Sequence, residues 1–192
     1  MGFRICYLAS ESPPEELIEK LGLNQGDQVD EMPDGDWWAA KLKSSGWTIL
    51  WSEDEGFGQS AKEQVVELSQ KHRTYICEVN ETCMWSSSEL WQDGHQLWKV
   101  THAGDGEDRF DLTEVGELPE AFAELKQSHF QTQKNTDENV DYIFEIPLDL
   151  PALEIGFRHE DHLEAEDVEV FNIIFPNEPE KKPSLLSRIF GR

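Results

Sequence analysis

The apolar positions of this chain recur mostly with period two, and the short elements they predict are strands and hairpins separated by a few helices. Phe3 to Ala9 is aromatic and β-branched and reads as a strand. Ser12 then stands as the cap of a helix from Pro13 to about Leu21, with prolines and acids in its first turn and Gly22 as its stop. Asn24 to Asp36 is polar and reads as a loop.

Trp37 to Leu42 and Gly46 to Ser52 form a hairpin around Lys43-Ser44-Ser45-Gly46. With Ser44-Ser45 as the two-residue turn, Trp38, Ala40 and Leu42 share a face with Trp47, Ile49 and Trp51, and two tryptophans come to lie opposite each other. Gln59 to His72 reads as a helix capped by Ser60, with Ala61, Val65 and Leu68 as its inner stripe. The strongest local signal lies in the next hairpin. Arg73 to Asn80 and Cys83 to Gln92 are strands, and Asp93-Gly94 is a favoured type I′ turn into His95 to His102. Pairing Gln92 with His95 puts Trp85, Ser87, Glu89 and Trp91 on one face with Gln96, Trp98, Val100 and His102, and makes Trp91 and Trp98 diagonal neighbours.

The remainder is less regular. Phe110 to Thr113 reads as a short strand, and a helix starting near Pro119 places Leu118, Phe122, Leu125 and His129 on one face. Gln131 to Asn139 is a polar loop, and Asp141 to Ile146 fits strand or helix. Pro147 and Pro151 break any long element, while Leu148 to Phe157 packs an apolar surface. The predicted fold is a single α+β domain over residues 1–175: a mainly antiparallel, Trp-rich sheet of about six strands covered by two or three helices. A Pro- and Lys-containing tail over 176–192 completes the chain, and in it Leu185, Leu186, Ile189 and Phe190 would form an apolar stripe on a short helix beside Arg188 and Arg192.

Composition narrows the function. Among 192 residues, Asp plus Glu total 40 against 16 Lys plus Arg, a formal net charge of −24. Such a surface repels phosphate backbones and anionic lipid, which argues against direct nucleic-acid binding and a membrane-surface role. The 7 Trp and 10 Phe exclude an acidic disordered polymer. No stretch reaches the roughly 20 apolar residues of a membrane helix, and the start of the chain turns acidic too soon for a secretory signal. Cys6, Cys77 and Cys83 are odd in number and lie in strand-like runs, which points to reduced, buried thiols in the cytoplasm.

Candidate chemistry is sparse, and no cofactor motif is present. Glu89 and His102 share the predicted aromatic face, where a carboxylate and an imidazole would serve as an acid/base pair, but the register sets them four positions apart. Their plainer role is polar edging of a core face. In Arg158-His159-Glu160-Asp161-His162-Leu163-Glu164-Ala165-Glu166-Asp167, helical spacing would bring His159, His162 and Glu166 to one side for zinc or manganese. A solvated acidic segment explains the same residues. Ser86-Ser87-Ser88 lacks the glycines of a nucleophile elbow, and Arg109 interrupts the calcium-like spacing of Gly104 to Asp108.

The central hairpin motif Met84-Trp85-Ser86-Ser87-Ser88-Glu89-Leu90-Trp91-Gln92-Asp93-Gly94, continued by Trp98-Lys99-Val100-Thr101-His102, resembles a group of small bacterial proteins sharing a domain of unknown function. Asp141-Tyr142-Ile143-Phe144-Glu145-Ile146-Pro147 and Gly156-Phe157-Arg158-His159 are similar to that group too, so the resemblance spans roughly residues 3 to 160. It implies a bacterial or similar intracellular origin and transfers no activity or site. The expected function is a non-enzymatic binding or regulatory protein, inhibitor- or immunity-like, that offers its acidic body to a basic protein partner, with the tail 185–192 as a candidate docking segment. The alternative is an enzyme with a Glu/His or His-rich, metal-assisted site.

Overall fold

The computed structural model describes residues 2–34, 37–104, 108–136 and 140–176. Its strands are β1 (Arg4–Ser10), β2 (Asn24–Val29), β3 (Trp38–Leu42), β4 (Thr48–Ser52), β5 (Thr74–Asn80), β6 (Trp85–Gln92), β7 (His95–Ala103), β8 (Thr113–Gly116) and β9 (Val168–Phe175). Its helices are α1 (Pro14–Lys20), α2 (Phe57–Ser60), α3 (Lys62–Leu68), α4 (Ala121–Asn135) and α5 (Ile146–Ile155). The strands join in one antiparallel sheet in the order β2-β9-β3-β4-β1-β5-β6-β7-β8. The class is α+β. Among the described residues the sheet has nine strands rather than about six, and five helices rather than two or three cover its two faces.

Two cores follow from that layering. On one face Ile5, Tyr7, Ala9, Trp38, Ile49, Trp51, Tyr75, Val79, Leu90, Trp98 and Val100 pack beneath α5 and the segment after it, through Ile146, Leu150, Ile155, Phe157 and Leu163. On the other, Cys6, Leu8, Ala39, Leu50, Ile76 and Trp91 pack beneath Leu17 and Ile18 of α1, Phe57 of α2, and Val65 and Leu68 of α3. A strand with both faces buried reads as a continuous apolar run, which is why β1 shows little alternation.

The first predicted hairpin has the expected register. Trp38 pairs with Trp51 and Ala40 with Ile49, and the two indole rings stack with centroids 5.9 Å apart. Several local expectations are corrected. Asn24 to Val29 is an edge strand because Gln25 and Gln28 both donate to the Asn172 side-chain oxygen on β9, a partner 140 or more residues away that local pattern does not reveal. Ser12 does not cap α1, since its hydroxyl donates to Ser10; Ser60 likewise donates back to the Phe57 carbonyl. The expected helix from Gln59 is split into α2 and α3 around Ala61. The strand expected over Phe110 to Thr113 forms later, as β8. α4 runs through the predicted loop as far as Asn135. Neither proline prevents α5: Pro147 stands in the first turn, where its missing N–H costs nothing, and Pro151 is accommodated inside.

The consequential correction is in the central hairpin. Asp93 and Gly94 have φ of 54° and 77°, as a type I′ turn needs, and Gln92 pairs with His95 and Trp91 with Gln96. The register then shifts, so that Leu90 faces Trp98, Glu89 faces Lys99 and Ser86 faces His102. Leu97 is the extra residue, a β-bulge, and every β6 side chain from Leu90 back toward Trp85 changes the β7 positions it shares a face with. Trp91 and Trp98 therefore lie in different cores, not side by side. β8 holds the bulge: the Glu117 amide donates to the Leu97 carbonyl at 3.0 Å, and Gly116 at φ 83° comes so close that a Cβ there would stand 2.1 Å from that oxygen.

This contact generates a test. Gly116→Ala is expected to lose about 1–3 kcal/mol through left-handed strain and collision, and hydrogen exchange should accelerate first at the Glu117 amide. Unchanged exchange there would show that β8 does not clamp the bulge.

Candidate functional site

The bulge places Glu89 and His102 on opposite faces of the sheet, so the predicted acid/base face does not exist. Glu89 is buried on the α3 side, where the Lys62 ammonium lies 3.3 Å and the Lys99 ammonium 3.6 Å from its carboxylate. Lys62 also stands over the Trp91 ring, 5.2 Å from its centre. Beside this pair Glu78 is buried, and Gln59 donates to it at 3.5 Å. Burial pushes the Glu78 carboxyl above its ordinary range, and the positive charge of Lys99 only partly opposes that.

His102 is fully buried on the other face. Its Nδ1 lies 2.6 Å from the Asp111 carbonyl and its Nε2 2.9 Å from Asp141 Oδ2. Both partners are acceptors, so the doubly protonated ring satisfies the geometry. Burial by itself lowers the pKa of such a ring, but these hydrogen bonds and the neighbouring charge outweigh it and the net direction is upward. Asp141 in turn accepts the Ile143 and Phe144 amides, while Ser86 on β6 donates to the Phe144 carbonyl. His102 is thus a fastener between β7 and the segment that leads into α5.

The third predicted group also rearranges. Residues 156–167 form turns rather than a helix, because Gly156 at φ 74° ends α5 and the carboxylates of Asp161 and Asp167 accept the amides of Arg158 and Glu164. His159 turns inward and is 2% exposed, with Nε2 3.4 Å from Glu81 and its ring edge-on to Phe3. Burial lowers its pKa, and the Glu81 hydrogen bond offsets this only in part, so the ring is neutral near neutral pH. His162 is exposed beside Glu164 and shares with Glu166 a second groove that His159 does not line. The expected His159, His162 and Glu166 set does not converge. Instead, ligand atoms of Glu81, His159 and Glu160 lie within 4.8 Å of one another.

His159 and His162 do share the wall of a cavity of about 300 Å³. Its apolar lining is Phe3, Ile5, Met32, Trp38 and Trp51, and Phe3 meets Trp51 edge-on at 6.0 Å. Its acidic members are Asp34, Glu53, Glu160 and Asp161, all exposed. The stacked Trp38–Trp51 pair of the first hairpin therefore backs a cleft whose lip carries four carboxylates. Glu81 carried no signal in the sequence, because its meeting with His159 spans 78 positions. Glu53 follows the aromatic end of β4 directly, but the cleft itself exists only once residues 156–167 fold over the sheet.

No family model, curated protein or solved structure matches the chain.

The buried carboxyl makes a pH prediction. A folded Glu78 pKa above the unfolded 4.5 means the native state holds the proton more tightly, so its contribution is favourable below pH 4.5 and is lost as pH rises through the folded value. Glu78→Gln is expected to be more stable than the parent at pH 7 in urea unfolding, with the difference closing below pH 4.5. Equal stability at both pH values would contradict a raised Glu78.

Proposed function

We propose that this protein is a non-enzymatic binding protein for a basic protein partner, and that the cleft beside His159 receives one arginine or lysine side chain of that partner. The observation that carries this reading is the convergence of Asp34, Glu53, Glu160 and Asp161 on a pocket backed by Phe3, Trp38 and Trp51. A guanidinium or ammonium is the group such a pocket favours: ring faces attract a cation, carboxylates neutralise it, and the apolar floor takes its methylene stem. The net charge of −24 would speed encounter with a basic surface and disfavour acidic ones. A cytoplasmic, bacterial setting accompanies the proposal; the free thiols of Cys6, Cys77 and the exposed Cys83 suit a reducing compartment. Among the described residues no helix is long and apolar enough to cross a membrane.

The test is titration of the full chain with a short arginine peptide and its neutral citrulline counterpart, followed by tryptophan fluorescence. The arginine peptide should bind and weaken as salt rises, and Asp34→Asn or Glu53→Gln should each reduce affinity by about threefold to tenfold. Equal binding of the citrulline peptide would sink the proposal.

The Glu81, His159 and Glu160 group favours a second reading, metal-assisted chemistry, since a neutral buried imidazole flanked by carboxylates is a competent ligand set for zinc or manganese. If it holds, zinc titrated calorimetrically should bind the parent with about one ion per chain and fail to bind His159→Ala. No heat of binding to the parent would remove this alternative.

A further inference from the structure

On the opposite face of the sheet lies a larger groove, of about 910 Å³. That is near the upper end of the roughly 300–1,000 Å³ of ordinary ligand clefts. Trp37 and Phe57 form its base, edge to face with centroids 4.7 Å apart, and Leu21, Leu23 and Ala61 add apolar wall. Asp54 supplies a carboxylate at its border, and Pro176, the residue after β9, is itself part of the lining. The chain therefore leaves the described fold at the mouth of its own groove.

The segment C-terminal to Pro176 has the chemistry of an occupant. Residues 177–184 are polar and hold Lys181 and Lys182; residues 185–192 are Leu-Leu-Ser-Arg-Ile-Phe-Gly-Arg. The eight-residue spacer reaches at most about 26 Å when extended, far enough to turn back across the groove. A tether of only eight residues gives an effective concentration on the order of millimolar. A weak apolar contact suffices under those conditions. Charge favours the same pairing: the segment after Pro176 carries four Lys/Arg against two Glu, and residues 1–176 carry the remaining net −26.

We propose that the C-terminal segment 185–192 docks in cis in the Trp37/Phe57 groove, with Leu185, Leu186, Ile189 and Phe190 as its apolar contacts. The groove is then a self-occupied site, and a partner competing for it must displace the tail. This site lies on the other face of the sheet from the cation cleft and does not depend on the binding function assigned there.

The experiment uses the full chain labelled with 5-fluorotryptophan, the Trp37 resonance being assigned with Trp37→Phe. Leu185→Asp combined with Phe190→Asp should shift the Trp37 resonance and leave that of Trp98 in place. A synthetic peptide of residues 177–192 should then bind the double variant and restore the parent shift, while binding the parent at least tenfold more weakly. An unchanged Trp37 resonance in the double variant would overturn the proposal. A parent shift that appears only with rising concentration, together with dimer in sedimentation, would overturn the cis arrangement in favour of a second copy. Arginine-peptide binding at the other cleft is measured on the same samples, so failure of one proposal is distinguishable from failure of the other.

Discussion

Burial of both faces of the sheet is the constraint on which the rest of the structure depends. With α5 and the turns after it on one side and α1, α2 and α3 on the other, the central strands have no solvent face into which a polar group can escape. Each polar side chain there must find a partner or carry a desolvation cost. Asn172 meets the requirement by accepting from Gln25 and Gln28 while donating to the Ala39 carbonyl, and in doing so it attaches the polar edge strand β2. His102 meets it with two acceptors, and Glu89 with two lysines. Polar burial in this protein is largely a means of attaching one segment to another.

The Leu97 bulge decides which of these groups can act together. In a strand with both faces buried, adding one residue transfers a side chain from one core to the other. Glu89 then belongs to the lysine-bound side and His102 to the α5 side, so the carboxylate and the imidazole of the central hairpin are separated by the thickness of the sheet. The bulge is in turn stabilised from outside the hairpin, by the Glu117 amide and the close approach of Gly116. A local turn signal as strong as Asp93-Gly94 governs only the residues next to it.

Charge is arranged by a different rule. Among the described residues, the acids lie mainly in turns and loops and on the outer sides of helices, where water screens them. The His159 cleft differs because the turns at 156–167 bring Glu160 and Asp161 to join Asp34 and Glu53 beside aromatic walls. There carboxylates stand beside aromatic rings and a buried imidazole, the arrangement on which the proposed cation binding rests.

Much was legible in the residues alone: the α+β class, the antiparallel pairing of the Trp38 and Trp51 hairpin, the Asp93-Gly94 turn and the buried stripe of Ala61, Val65 and Leu68 all follow from period and turn chemistry, which act over a few residues. The acidity was equally a property of composition. Tertiary structure alone decided β2, the helical state of the Pro147 and Pro151 segment, the bulge and the meeting of His159 with Glu81. Each depends on a partner that is distant in the chain, or on a second layer covering the sheet. Periodicity records which side chains avoid water, but it does not record which distant segment excludes the water, and the candidate cleft is made by that second fact.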